Sequence, residues 1–466
     1  MMENNNSAFS YKLTKLDLID NSKKVWNLIP GAQAITYFES IADPYVSANI
    51  RILDSGESVI NKIVGGEEVH MSVAGPDETE YHYILMVYMV GDRSVSNKIQ
   101  TYNIGLISAE ALTNEARKVS KTMKGRADEI VEKILTGDDS VIESEKDVFT
   151  TPCGNNTKIH PNGKSPFSII NSLCNGSISA TNSNVDKANN MGVLTPGGIT
   201  EKSDGKEVGG SAGYVFFENR KGYHFKSIDS LCDTKGKFGG GGKVRSFTDS
   251  VNDGVNEDSI INVNFESEIN LIHALRLGTY SSQLQTYDIS SGKFEVYTYS
   301  LSKEWDNQSH LGSQTKLNPM QEKLSGQPTR ILSTIVDHEK YYTGTDTADP
   351  DDPDYKNDNN FWDYSKHNIV QNISRNFMLN TQGLRIDVPG NIDLCVGEII
   401  NVILPSSVSE DQKLDEPIDE SNSGFYLIYS LSRFFDQRTQ EVTTVLKLKR
   451  DSFGAQQLEK NEVLIS

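Results

Sequence analysis

The chain has 466 residues, 36% of them apolar, with 64 acidic against 45 basic side chains and a formal net charge of −19. That length exceeds one ordinary core and points to three or four domains of roughly 100–150 residues. The charge excludes tight binding of duplex DNA, which needs clustered Lys and Arg to neutralise phosphates, and leaves either ordinary solubility or a surface that repels a polyanion.

Abundant glycine (36 residues), with frequent Asn, Ser and Asp, favours a β-rich chain with many turns over a helical bundle. Residues 7–105 read as strands. Leu16, Leu18 and Ile19 lead into the polar turn DNSKKVW, and a second strand spans Ala34 to Ile41. In VSANIRILDSG, Val46, Ala48, Ile50 and Ile52 alternate with Ser47, Asn49 and Arg51, the period of a half-buried strand. Asp54-Ser55-Gly56 reads as the turn that ends it. Val59, Ile60, Ile63 and Val64 switch briefly to helical spacing, then Val69, Met71 and Val73 return to period two. YHYILMVYMV is apolar on both faces, which places it between two layers or at a subunit contact. QTYNIGLIS closes a set of six or seven strands, the content of a small antiparallel barrel or sandwich.

Ser108 is a candidate N-cap for AEALTNEARKVSKTM, where Leu112, Ala116, Val119 and Met123 form one apolar stripe. ADEIVEKIL predicts a further helix with Ile130, Val131, Ile134 and Leu135 inward, and Ser165-Pro166 opens a third over FSIINSLC. The tract between Asn175 and Gly210 reads as a Ser/Asn/Gly-rich loop, and GYVFFENRKGYHFKSIDSL as two strands around a turn at Asn219–Gly222. Further on, NLIHALRLGTYSSQLQTYDISSGKFEVYTYSL returns to β character with a turn at Ser290-Ser291-Gly292. Residues 302–360 are polar and poorly patterned, and SKHNIVQNISRNFML predicts a short helix. The end is strongly β, with Val442, Thr444, Leu446 and Leu448 alternating with Thr443, Val445, Lys447 and Lys449.

Chemistry-bearing patterns are sparse. Cys153, Cys174, Cys232 and Cys395 are widely spaced without a CxxC pair, which argues against a disulfide framework and a zinc site. No two of the eight histidines share a metal-ligand spacing. DTADPDDPDYKND lacks the mid-loop Gly and closing Glu of an EF-hand and reads as a solvated acidic loop. KFGGGGKVRS is Gly-rich and basic but lacks GxxxxGK[ST], so it reads as linker. There is no GxSxG. Tyr81, Tyr83, Tyr88, Tyr297 and Tyr299 are read as core-edge or interface strand aromatics. MMENNNSAFSYKLTKL has no apolar core of signal-peptide length, and no segment approaches the ~18 apolar residues of a membrane span, so the expectation is a soluble protein made in a cytoplasm.

Four segments, taken in order, resemble the central baseplate hub proteins of contractile-tailed bacteriophages. They are YFESIADPYVSANIRILDSG, YNIGLISAEALTNEARKVSKTMKGRADEIVEKIL, GYVFFENRKGYHFKSIDSL, and GNIDLCVGEIINVILP followed by GFYLIYSLSRFFDQRTQEVTTVLKLKRDSFG. The resemblance implies a mainly β fold with α+β insertions: two small antiparallel tail-tube-like β-barrels in one chain, plus mixed helical and loop domains. By that analogy residues 1–108 form the first barrel and 109–264 a mixed helix/strand domain with Gly/Ser-rich loops. Residues 265–301 and 382–455 form the second barrel, 302–381 a polar acidic insertion with a short helix, and 456–466 a C-terminal tail.

The same resemblance implies a structural virion protein and no enzyme, with no catalytic, cofactor-binding or metal residues and no cofactor. A homotrimer would present six barrels in a pseudo-sixfold ring that adapts a hexameric tail tube to a trimeric cell-puncturing spike. The chain stops at Ser466, soon after the second barrel, so the spike protein is expected on a separate chain. Tail-tube or tube-initiator ring proteins are the other implied partners, with the tape-measure and baseplate wedge proteins as further candidates. DNA would pass through the channel without tight binding, past a trimer whose formal charge is −57, three times −19. The implied location is the virion tail baseplate, assembled in the host bacterial cytoplasm, with no membrane segment. The alternatives are the spike hub of a type VI secretion or phage-like contractile injection particle, and a β-rich glycan-binding adhesin.

Overall fold

The computed structural model describes residues 8–455 apart from 56–58, 77, 98, 138–139, 155, 181–210, 235–243, 250–254, 268–269, 290–291, 293, 306–307, 315–326, 337–365 and 407–417. The acidic DTADPDDPDYKND, most of the Ser/Asn/Gly-rich tract and of KFGGGGKVRS, and the tail 456–466 therefore lie outside the described residues. The chain is mainly β.

The first strand set comprises β1 (Lys12–Ile19), β2 (Val25–Asn27), β3 (Ala32–Ser40), β4 (Ser47–Ser55), β5 (Glu68–Ala74), β6 (Glu80–Ser96) and β7 (Ile99–Ile107). They pair antiparallel in the order β3-β4-β7-β6-β5-β1-β2. Period-two patterning explains the faces: Ala48, Ile50 and Ile52 of β4 and Tyr102, Ile104 and Leu106 of β7 are buried, while Arg51 and Leu53 are exposed. Asp54 does not begin a turn, as the sequence suggested. It is the last inward-facing residue of β4, and its buried carboxylate accepts the amides of Val59 and Ile60 and the Tyr102 hydroxyl. The helical spacing near Ile60 becomes one short turn, Ile60–Lys62.

The middle of the chain holds β8 (Met123–Arg126), β9 (Val148–Thr150), β10 (Asn156–Ile159), β11 (Tyr214–Asn219) and β12 (Gly222–Ser227) with helices Ala109–Ala116, Ala127–Leu135 and Pro166–Gly176. Ile130, Val131, Ile134 and Leu135 pack with Phe167, Ile170, Phe216 and Phe225 in a second core. The helix after Ser108 is shorter than its apolar stripe. It stops at Ala116 because Arg117 turns extended, donating to the Val141 carbonyl, and Val119 pairs with Lys164 instead. Asn114, on the polar side of that stripe, caps the third helix by accepting the Phe167 amide at 2.8 Å. The turn between β11 and β12 falls at Asn219–Gly222. Gly222 has φ +136°, and a Cβ there would lie 2.2 Å from the Asp147 carbonyl oxygen, so only glycine fits.

The remaining strands are β13 (Ser246–Thr248), β14 (Asn262–Ser267), β15 (Ser281–Asp288), β16 (Phe294–Ser300), β17 (Gly312–Gln314), β18 (Arg330–Val336), β19 (Gln382–Pro389), β20 (Ile399–Ile403), β21 (Gly424–Asp436), β22 (Glu441–Arg450) and β23 (Phe453–Ala455). β14-β19-β22-β21 continue the large sheet, and β20 pairs with β21 and β13. The join is β21 against β3, with Ser430 to Asp436 in register with Ser40 to Ala34. The far end returns as well: Tyr11 donates to the Gln440 carbonyl, Val442 donates to the Phe9 carbonyl, and Ser10 bridges Glu441. Both strand sets consequently share one hydrophobic core, from Leu16 and Ile50 through to Leu431 and Leu446.

One grouping differs from the sequence expectation. Of residues 265–301, only part of β14 joins the large sheet. β15 and β16 form a separate sheet whose third strand, β18, lies in the expected 302–381 insertion and runs parallel to β15. The reason is packing: Leu284 and Tyr299 bury one face of this sheet against Val370 and Met378. The latter belong to the helical stretch Lys366–Met378, which appears where a short helix was predicted.

Candidate assembly surface and the charged junctions behind it

β6 carries the doubly apolar YHYILMVYMV. Tyr83, Leu85 and Val87 face the shared core, whereas Ile84 (58% exposed) and Tyr88 (49%) lie on the outer face. The Tyr88 ring lies over Gly105 of β7, where an added Cβ would be 2.9 Å from the ring. Phe38 of β3 and Phe434 of β21 are exposed on either side of the seam, in register with Ser432 and Thr36 respectively. Phe38 and Phe434 make one exposed apolar pair at the seam and Ile84 and Tyr88 another on β6, with Ser47 and Asn49 of β4 in the ladder between them. Of the tyrosines singled out in the sequence, Tyr83 and Tyr299 are buried, Tyr81 and Tyr297 are half-buried, and Tyr88 is exposed.

Buried charges lock the other domains to this sheet. Glu39, on the core-facing phase of β3, accepts the Tyr37 hydroxyl at 2.8 Å, the Arg220 amide at 2.9 Å and the Val396 amide at 3.0 Å. Two distant segments, around Arg220 and Val396, therefore converge on one carboxylate of β3. Arg433 of β21 is equally buried, lies over the Tyr37 ring at 5.7 Å, and donates to the Leu394 carbonyl. Lys146 meets Glu110 at 2.7 Å and Glu218 at 2.6 Å, and Glu218 also accepts the Val46 amide, tying the mixed domain to the start of β4. Burial pushes the Glu218 carboxyl above its ordinary range, against the pull of Lys146. For Lys146, burial acts downward and the two glutamates outweigh it.

A second junction centres on Arg375. Its guanidinium meets Asp451 at 3.0 Å, Asp229 at 2.6 Å and the Ser309 carbonyl at 2.9 Å. Asp451 also accepts His310 Nδ1 at 2.7 Å and the Leu311 amide at 3.0 Å. Burial alone would raise the Asp451 carboxyl, but His310 and Arg375 hold it well below the usual carboxylate range.

Each carboxylate in these groupings meets at least one cation or backbone amide. The four cysteines are buried and none is in a disulfide. Burial pushes the Cys153 and Cys395 thiols up to about 12, so they stay protonated. Among the described residues no group of three or more His, Cys, Asp or Glu side chains is placed to hold a metal, and no helix is long and apolar enough to cross a membrane. His70, His82, His160, His224 and His310 each sit with a different local partner. Sequence reasoning passed over Glu39 and Arg433. Their signal was available, because each occupies the core phase of an alternating strand, as in Ile35, Tyr37, Glu39 and in Leu431, Arg433, Phe435.

No family model and no curated protein matches the chain. Solved structures do. A tail protein from Neisseria meningitidis MC58 superposes with a TM-score of 0.50 at 11% identity, covering 95% of this chain and 97% of that one. The 43 kDa tail protein of prophage MuSo2 from Shewanella oneidensis gives 0.48 at 10% identity, covering 94% and 99%. A component of the Escherichia coli type VI secretion system, described as structurally similar to T4 bacteriophage tail proteins, gives 0.41 at 10% identity, covering 96% and 79%. The chain has the fold of the Neisseria tail protein along nearly its whole length.

Proposed function

We propose that this chain is a structural virion protein, the trimeric central hub of a contractile-tail baseplate. The observation that carries the reading is the fold shared with a tail protein over 95% of the chain. In this reading the strand set β1–β7 and the set β14, β19–β22 are the two tube-type barrels, fused along β3–β21. Three chains place six such units in a ring that meets a hexameric tube on one side and a trimeric spike on the other. The exposed apolar side chains Phe38 and Phe434 at the seam, and Ile84 and Tyr88 on β6, support subunit or ring contacts. The net charge of −19 per chain supports a channel along which DNA passes without sticking. The protein acts by assembly in the virion tail and not by turnover.

Solution mass tests this. Light scattering of the purified chain should give about 155 kDa, three times 51.7 kDa. A strict monomer at high protein concentration, with or without a co-expressed spike protein, overturns the trimeric hub.

A further inference from the structure

A cavity of about 500 Å³ opens between β12 and the segment 393–400. That volume lies within the range of small-ligand sites, roughly 300–1,000 Å³. Phe149, Phe217, Leu231, Leu394 and Val396 give it apolar walls. Phe149 and Phe217 hold His224 between them, with ring centroids 4.9 Å away on each side and planes 18° and 9° from parallel.

Most charges at the margin are already neutralised. Lys221 meets Glu398 at 2.5 Å, and Arg245 meets Asp258 at 2.7 Å and Asp393 at 3.0 Å. Lys226 is different. Its ammonium donates to the Thr150 carbonyl at 3.3 Å and has no carboxylate partner among the described residues. Burial also pushes it below the ordinary lysine range, and an anion in contact would offset that cost.

His224 lies two residues before Lys226 on β12, hence on the same face of the strand. The orientation of the Asn219 amide is fixed by its Nδ2 donating to the Val396 carbonyl and its Oδ1 accepting the Lys221 amide, both at 2.9 Å. His224 Nε2 must then donate to that Oδ1, at 2.9 Å, which leaves Nδ1 as a bare acceptor with no donor among the described residues. One cation with spare donors and one acceptor thus share an apolar, aromatic-walled cavity.

We propose that this cavity binds a small aromatic carboxylate that also carries an N–H or O–H group, with the carboxylate on Lys226 and the donor on His224 Nδ1. The site is separate from the outer face assigned to assembly.

N-acetyl-L-tryptophan is a suitable probe. Titration calorimetry on the intact chain should show one site per chain with a Kd of about 1 mM or tighter. The His224 ring resonances should shift on addition. Lys226→Met should weaken binding at least tenfold, whereas Lys118→Met, outside the cavity lining, should leave it unchanged. The uncharged amide of the same probe, tested on the unmodified protein, should lose at least tenfold without any change to the fold. Absence of saturable binding below about 10 mM, or equal affinity for acid and amide, overturns the proposal.

Discussion

Arg375 and Asp451 meet at 3.0 Å with neither side chain exposed, joining the helix before β19 to the end of β22. Asp229 and His310 complete the cluster from two further segments. Removing the guanidinium while keeping its volume leaves the fully buried Asp451 and the partly exposed Asp229 without their shared guanidinium. Arg375→Met should cost about 3–5 kcal/mol, the usual effect of breaking one side of a buried ion pair. Urea unfolding followed by fluorescence reads this as a lower midpoint with an unchanged slope. Adding Asp451→Asn should recover part of the loss, because the two sites are coupled. A single-variant cost below about 1 kcal/mol would show that the cluster is not a structural lock.

The individual strands were legible because their faces differ. Val442, Thr444, Leu446 and Leu448 bury as their alternation predicts, as do Ala48, Ile50 and Ile52. The helix Ala127–Leu135 was legible for the same reason. What the sequence did not carry was pairing between strands far apart in the chain. Nothing in the residues of β3 names β21 as its neighbour, since both present an ordinary half-buried pattern, and register emerges only from the closed path of the sheet. Likewise β15 pairs with β18 across a polar stretch that has no periodicity of its own. The charged junctions were hidden differently: Arg375 sits in a short helix with polar neighbours, and its partners come from segments 66 and 146 residues away.

The exposed apolar face on β6 should govern association and leave the folded chain intact. Ile84 and Tyr88 contribute little to the shared core, so Ile84→Asp and Tyr88→Asp should leave the chain folded, at a cost of about 1 kcal/mol each. In the double variant the solution mass should fall from that of the proposed trimer, about 155 kDa (three times 51.7 kDa), to a single chain of 51.7 kDa. Persistence of the larger species in the double variant would move the interface off this face.

His224 makes stability pH-dependent in a defined direction. Burial between two phenylalanines, reinforced by Lys226 and Lys221, lowers its pKa from 6.5 to about 4. Between those values the unfolded chain binds a proton that the folded chain does not, so stability falls as pH drops through this window and is fully present above 6.5. The whole contribution is about 3 kcal/mol. His224→Phe keeps an aromatic ring in the stack but removes the titration, so its stability should decline less between pH 7 and pH 4 than that of the unmodified chain. Carboxylates and the other histidines contribute equally to both proteins, and the difference between the two pH profiles isolates this one ring. Denaturant unfolding at several pH values measures it, and superimposable profiles would mean that His224 is protonated as readily in the folded chain as in the unfolded one.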